Sequence, residues 1–195
     1  MKYTFSYIPP SQTTLSSIKN HKVFEKKIIE YLKKARVKNT SDYNKTLRAI
    51  NTLAKTLGIP TTVSKFFKGE LSSIQKKKPL TEVTPWGGVT LKKVDVEKDF
   101  IQKLLLVKKY GVLGFEIHKK KHEQLQILEG YCLVFWINHR KKATTTICVQ
   151  LGGPKDTYTF SPKDEHGILS LTNCVIEETS TNHLDDLVYV FKAHL

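Results

Sequence analysis

Apolar residues recur at two different periods along this chain, and the change of period falls near residue 80. Over residues 17–37 the apolar positions Phe24, Ile28, Tyr31 and Leu32 return every three or four residues, with lysines on the other faces, which predicts an amphipathic helix. Asn39-Thr-Ser-Asp42 is a cluster of N-cap residues, and Tyr43, Leu47, Ile50, Leu53 and Leu57 then mark one face of a second helix. Gly58 suits the left-handed position that ends a helix, and Pro60 blocks continuation. A short third helix is expected over residues 61–67, stopping near Gly69. Residues 1–16 are polar, with Pro9-Pro10, and predict an extended or weakly ordered arm.

Beyond a lysine-rich linker the pattern becomes that of short strands and turns. Strands are expected over residues 89–96, 100–109, 131–137, 143–151, 158–161, 174–178 and 187–192. Glu129-Gly130 stands between two apolar runs and reads as a hairpin signal. Residues 131–137 are apolar on both faces, so their outer side needs cover from a second sheet, another subunit or an appended domain; a homodimer is the expected source. The chain divides into an arm (1–16), a basic helical module (17–75), a linker (76–82) and a β domain (83–195).

Candidate chemistry gathers in the stretch from Gly111 to Gly130. Side chains two apart on a strand share a face, so Glu116 and His118 point the same way, and Glu123 leads the face that Leu125 and Ile127 continue. The spacing Glu116-x-His118-x4-Glu123-x6-Gly130 resembles the first metal motif of the cupin β-barrels. It is most similar to the cupin part of phosphomannose isomerases and mannose-1-phosphate guanylyltransferases, in which Gln usually stands at the position of Glu116. Thr84-Pro-Trp-Gly-Gly88, Pro162-Lys-Asp-Glu-His166 and the run from Val175 to Val188, with its Asp185-Asp186 pair, resemble further segments of that family, so the likeness covers residues 82–192.

The resemblance implies an α+β chain: a small all-α basic module followed by a double-stranded β-helix, the cupin jelly-roll barrel. It implies a divalent-metal site of Glu116, His118, Glu123 and His166, with Zn, Mn, Fe, Ni or Co as the ion and the two carboxylates favouring Mn or Fe. It further implies a sugar or sugar-phosphate ligand and isomerase or epimerase chemistry. That chemistry needs a base, from Glu177, Glu178 or His183, and cations for phosphate, from Lys119, Lys120, Arg140 or Lys141. His122, on the expected turn, reads as solvated. No nucleotide-binding strand-helix unit is visible, which argues against nucleotidyl transfer.

Charge changes this picture. The formal net charge is +14, and residues 1–80 hold 17 Lys and Arg against 4 Asp and Glu. A basic appendage on a near-neutral barrel fits a polyanionic partner, with nucleic acid reaching residues 17–78. The run Leu53-Ala-Lys-Thr-Leu-Gly-Ile-Pro-Thr-Thr-Val-Ser-Lys-Phe-Phe-Lys-Gly69 resembles the helix-turn-helix of repressor-like proteins. On that resemblance Thr61, Thr62, Ser64 and Lys65 begin a recognition helix and Lys68 faces phosphate. The alternative reading is therefore a DNA-binding regulator whose barrel senses a ligand or dimerises. Cys132, Cys148 and Cys174 are widely spaced in apolar or alternating runs and read as small buried hydrophobes of a reducing compartment. The first ten residues lack the charged start and apolar core of a signal peptide, and no apolar run is long enough to span a bilayer, so a cytoplasmic location without membrane contact is expected.

Overall fold

A computed structural model describes residues 2–18, 21–56, 82–140, 144–183 and 185–193. In chain order these form β1 (Lys2–Ile8), α1 (Gln12–Ser17), α2 (His21–Lys34), α3 (Thr40–Thr56), β2 (Glu82–Thr84), β3 (Gly87–Asp95), β4 (Phe100–Val107), β5 (Val112–His118), β6 (Glu123–Glu129), β7 (Cys132–Arg140), β8 (Thr144–Gly152), β9 (Thr157–Phe160), β10 (Glu165–Ser170), β11 (Cys174–Ser180) and β12 (Leu187–Phe191). The strands make two six-stranded sheets, in the orders β1-β8-β7-β10-β5-β12 and β2-β3-β4-β11-β6-β9. From β4 to β11 the chain changes sheet at every connection except β7 to β8, which sets β5, β10, β7 and β8 against β4, β11, β6 and β9. That wiring is a jelly roll, the double-stranded β-helix, here carrying helices on one side as an α+β fold.

Two apolar cores follow from the alternation of the strands. Leu105, Val107, Leu125, Ile127, Val134, Ile168 and Ile176 meet between the sheets. On the outer face of the first sheet, Phe24, Ile28 and Leu32 of α2 and Tyr43, Leu47, Ile50 and Ala54 of α3 pack with Leu133, Phe135, Ile147 and Val149. Each large side chain sealed there contributes about 1.5–3 kcal/mol relative to leaving it in water. Asn39 starts α3 as the cap signal predicts, its Oδ1 accepting the Asp42 backbone N–H at 3.0 Å.

Several expectations are revised. Residues 1–16 are no free arm: β1 pairs in parallel register with β8, from Lys2↔Thr144 to Ile8↔Gln150, and α1 follows. Glu129-Gly130 does not turn a hairpin, because β6 and β7 lie in different sheets. Gly130, at φ 84°, carries the chain across, and a Cβ there would stand 2.2 Å from the Asn173 carbonyl oxygen. The outer face of β7 is covered by α2 and α3 of the same chain, so the apolar strand no longer asks for a second copy. The third helix and the whole recognition-helix set, Thr61, Thr62, Ser64, Lys65 and Lys68, lie outside the described residues. No described helix is long and apolar enough to cross a membrane.

Candidate metal centre

Strict alternation along β5 would send Glu116 and His118 to the helix side together with Val112. They face the barrel interior instead because the strand carries a bulge. The β10 register steps from His166↔Glu116 to Ile168↔Leu113, so two residues of β5 oppose Gly167 alone. Val112 and Phe115 then point to the helices, while Leu113 joins the inter-sheet core. On β6, Glu123 leads the inward face of Leu125 and Ile127, as the pattern predicts. His166 enters from β10, stacked on Phe160 with centroids 4.1 Å apart.

These four side chains converge. His118 Nε2 lies 3.7 Å from Glu116 Oε1 and 3.9 Å from Glu123 Oε1. His166 Nε2 lies 4.0 Å from Glu116 Oε1 and 2.6 Å from Glu123 Oε1. Ligand atoms of Glu116, His118 and His166 fall within 4.8 Å of one another. Bonds of about 2.0–2.2 Å from a first-row ion place its donors roughly 3.0–3.5 Å apart, so small side-chain movements close the cluster on one ion. His118 Nε2 is buried without a hydrogen-bond partner although it faces this space, and Glu123 Oε1 has only His166 Nε2. Two imidazole nitrogens and two carboxylates converging on one space, with His118 Nε2 unpartnered there, fit a divalent cation.

The surroundings fix which nitrogens are offered. His118 Nδ1 donates to Asp186 Oδ1 at 2.8 Å, and His166 Nδ1 donates to the Asp164 carbonyl at 3.2 Å. An acceptor at Nδ1 demands the proton there and leaves Nε2 toward the cluster. Asp186 Oδ2 also accepts the backbone N–H groups of Lys120 and Lys121, at 2.7 and 3.0 Å, which ties the β5–β6 turn to the segment before β12. Burial alone would raise the Asp186 carboxyl, but these donors hold it below its ordinary value. Burial also opposes charge on Glu123 and His166; their attraction for each other, with Lys121 acting on Glu123 and Glu116 on His166, wins, so the carboxyl is lowered and the imidazole raised.

Three residues complete a charged network. Lys121, buried between β5 and β6, reaches Glu123 Oε2 at 2.5 Å and Glu178 Oε1 at 2.6 Å, and Lys103 reaches the same Glu178 oxygen at 3.0 Å. Burial disfavours the Lys121 cation, yet the two carboxylates hold its pKa above the ordinary lysine value. The sequence does signal this lysine, since 121, 123, 125 and 127 share one face at period two.

The remaining candidates are dispersed. Glu177 alternates to the outside of the second sheet and pairs with Lys92, so it is no base for the interior; its neighbour Glu178 takes the inward position. His183 lines the groove beside the cluster, as do Glu116, His118, Lys103 and Lys121. Lys119 and Lys120 are exposed on the turn and line no part of it. Arg140 ends β7, but its side chain and the whole of Lys141 lie outside the described residues. The groove, about 710 Å³, runs between the β3–β4 and β5–β12 sides of the barrel, with Trp86, Val89, Leu91 and Leu113 on its walls.

No family model matches this sequence, and no curated protein matches it. Solved structures of similar fold include KdgF from Halomonas sp., at 14% identity over 58% of this chain and 94% of that one, with a TM-score of 0.46. An RmlC-like cupin from Shewanella frigidimarina matches at 11% identity over 55% of this chain and 86% of its own, with a TM-score of 0.45. The oxalate decarboxylase of Lactobacillus farciminis matches at 13% identity over 58% of this chain, with a TM-score of 0.48; the match spans 34% of that protein. These likenesses concern the shape of the barrel.

Proposed function

We propose that this chain is a divalent-metal jelly-roll protein that binds a sugar or sugar phosphate in the groove beside Glu116, His118, Glu123 and His166, with isomerase-like chemistry. The observation that carries the reading is the buried, unpartnered His118 Nε2 aimed at the space it shares with Glu116, Glu123 and His166, where two carboxylates and two imidazoles converge. A bound ion would supply polarisation of a sugar carbonyl or hydroxyl. The chain's own part is to hold the donors in register through Asp186 and the Asp164 carbonyl, to shield the centre behind the inter-sheet core, and to offer His183 on the groove wall for moving a proton. Metal analysis of the purified protein tests the reading. Close to one equivalent of Mn, Fe, Zn, Ni or Co is expected in the wild type and little in His118→Ala; equal content in both would remove the centre.

A second reading rests on the surface of α2 and α3. Lys22, Lys26, Lys27, Lys33, Lys34 and Lys45 are exposed, and among the described residues none of them is in an ion pair. Under this reading the helices grip the phosphates of DNA and the barrel senses a ligand. The homodimer has lost the argument from β7, and sedimentation equilibrium at micromolar protein tests it directly.

A further inference from the structure

Four strands stand at the edges of the two sheets, β1 and β12 in the first, β2 and β9 in the second. An open edge presents unmatched N–H and C=O groups, and chains guard it with charge, proline, short strands or cover. Tyr3 of β1 exchanges two backbone hydrogen bonds with Val37. β2 is three residues long and starts with exposed Glu82, and β9 is four residues long with exposed Thr157 and Thr159. β12 has no such guard over its first three positions: Leu187–Phe191 contains neither charge nor proline, and Leu187, Val188 and Tyr189 in succession are 37%, 44% and 46% exposed. Leu187 and Tyr189 line the groove, and alternation turns Val188 to the helix side. Both faces of this edge are therefore apolar and half open, as they would be where a further strand continues the sheet. The register break between Tyr189 and Phe191 confines straight pairing to residues 187–189.

These three residues are complementary to themselves. An antiparallel copy centred on Val188 sets Val188 against its counterpart on one face, and Leu187 against Tyr189 twice on the other. Asp185 precedes the strand and Lys192 follows it; both are exposed and, among the described residues, in no ion pair. The same arrangement brings Asp185 of each copy within one position of Lys192 of the other, so opposite charges meet at both ends of the ladder. We propose that two copies of this chain associate through β12, pairing antiparallel about Val188 into one sheet that runs across the two-fold axis. The proposal is independent of the metal ion and gives the homodimer an argument that β7 does not supply. Because Leu187 and Tyr189 line the groove, each copy lengthens the groove wall of the other. So short a ladder buries less than the roughly 1,000 Å² of a stable interface, which sets the expected dissociation constant in the range ~10–100 µM.

Sedimentation velocity of the full chain over a concentration series reaching ~0.5 mM tests this. The wild type should pass from monomer to dimer. Val188→Lys, which would set two ammonium groups face to face, should weaken association about tenfold or more. Asp185→Lys and Lys192→Asp should each weaken it roughly two- to tenfold, and the double exchange should restore it. Restoration belongs to pairing between two copies; neither a damaged fold nor a site for some other extended chain would produce it. A wild type that stays monomeric throughout overturns the proposal and leaves β12 to a different extended peptide. A dimer unaltered by Val188→Lys, or a double exchange no better than either single change, overturns it as well and puts the contact elsewhere.

Discussion

Asp186 uses its two oxygens differently: one orients His118, the other holds the backbone of the β5–β6 turn. Asp186→Ala should therefore lower metal affinity about 10- to 100-fold, the usual cost of losing the carboxylate behind a ligating histidine. A competition titration with a chelator measures this, and an unchanged affinity would limit Asp186 to the turn. The lowered carboxyl of Glu123 and the raised imidazole of His166 make opposite predictions for the metal-free protein. The stabilisation from Glu123 is complete above its ordinary value of 4.5 and is lost as pH falls through the depressed folded value. That from His166 is complete below its ordinary 6.5 and is lost as pH rises through the elevated folded value. Chelated protein should thus have its highest urea midpoint between those two ordinary values, and Glu123→Gln should flatten both arms of the profile.

At the scale of elements, α2 and α3 are part of the barrel's packing, because their apolar stripes seal the outer face of the first sheet. Leu47→Ala should cost roughly 2–5 kcal/mol and lower a single cooperative melting transition. A second, independent transition would show that the helices melt apart from the sheets. The helical stripes, Phe24 to Leu32 and Tyr43 to Ile50, are legible because burial follows their period directly. The inward set of Glu123, Leu125 and Ile127 is legible for the same reason at period two. The bulge in β5 has no such signature: Val112 to His118 reads as an ordinary alternating strand, and only the pairing with β10 shows where the alternation breaks. β1 does carry a local sign, Tyr3, Phe5 and Tyr7 alternating with Thr4 and Ser6, which reading residues 1–16 as one polar stretch hides; its pairing with β8, far along the chain, has none. Glu129-Gly130 is a true turn signal, but a turn does not say whether it joins strands of one sheet or of two. Of the site, Glu116, His118 and Glu123 are visible as a pattern. His166 needed a resemblance, and the Lys103–Glu178–Lys121 network needed coordinates.

For the whole molecule, the uneven charge is the property that most separates the two functional readings. If the α2–α3 face holds DNA, the binding constant should fall steeply and linearly in the logarithm of salt concentration. Reversing Lys22, Lys26 and Lys33 to Glu should then abolish binding, while the same change at Lys92, Lys93 and Lys98, which have carboxylate partners, should do little. Fluorescence anisotropy with a short duplex distinguishes the cases; equal loss in both triple variants would make the attraction a matter of net charge alone.

The parallel pairing of β1 with β8 has a consequence for how the chain is made. Thr4 meets Thr146 across 142 positions, so β1 leaves the ribosome long before the strand it will lie against. Until then the ladder groups it turns toward β8 go unmatched, though Tyr3 can already exchange hydrogen bonds with nearby Val37, and loop closure over such a span is slow to repay its entropy. Assembly of this edge is therefore a late event, one for which a waiting, sticky strand end is the hazard and a chaperone the natural remedy.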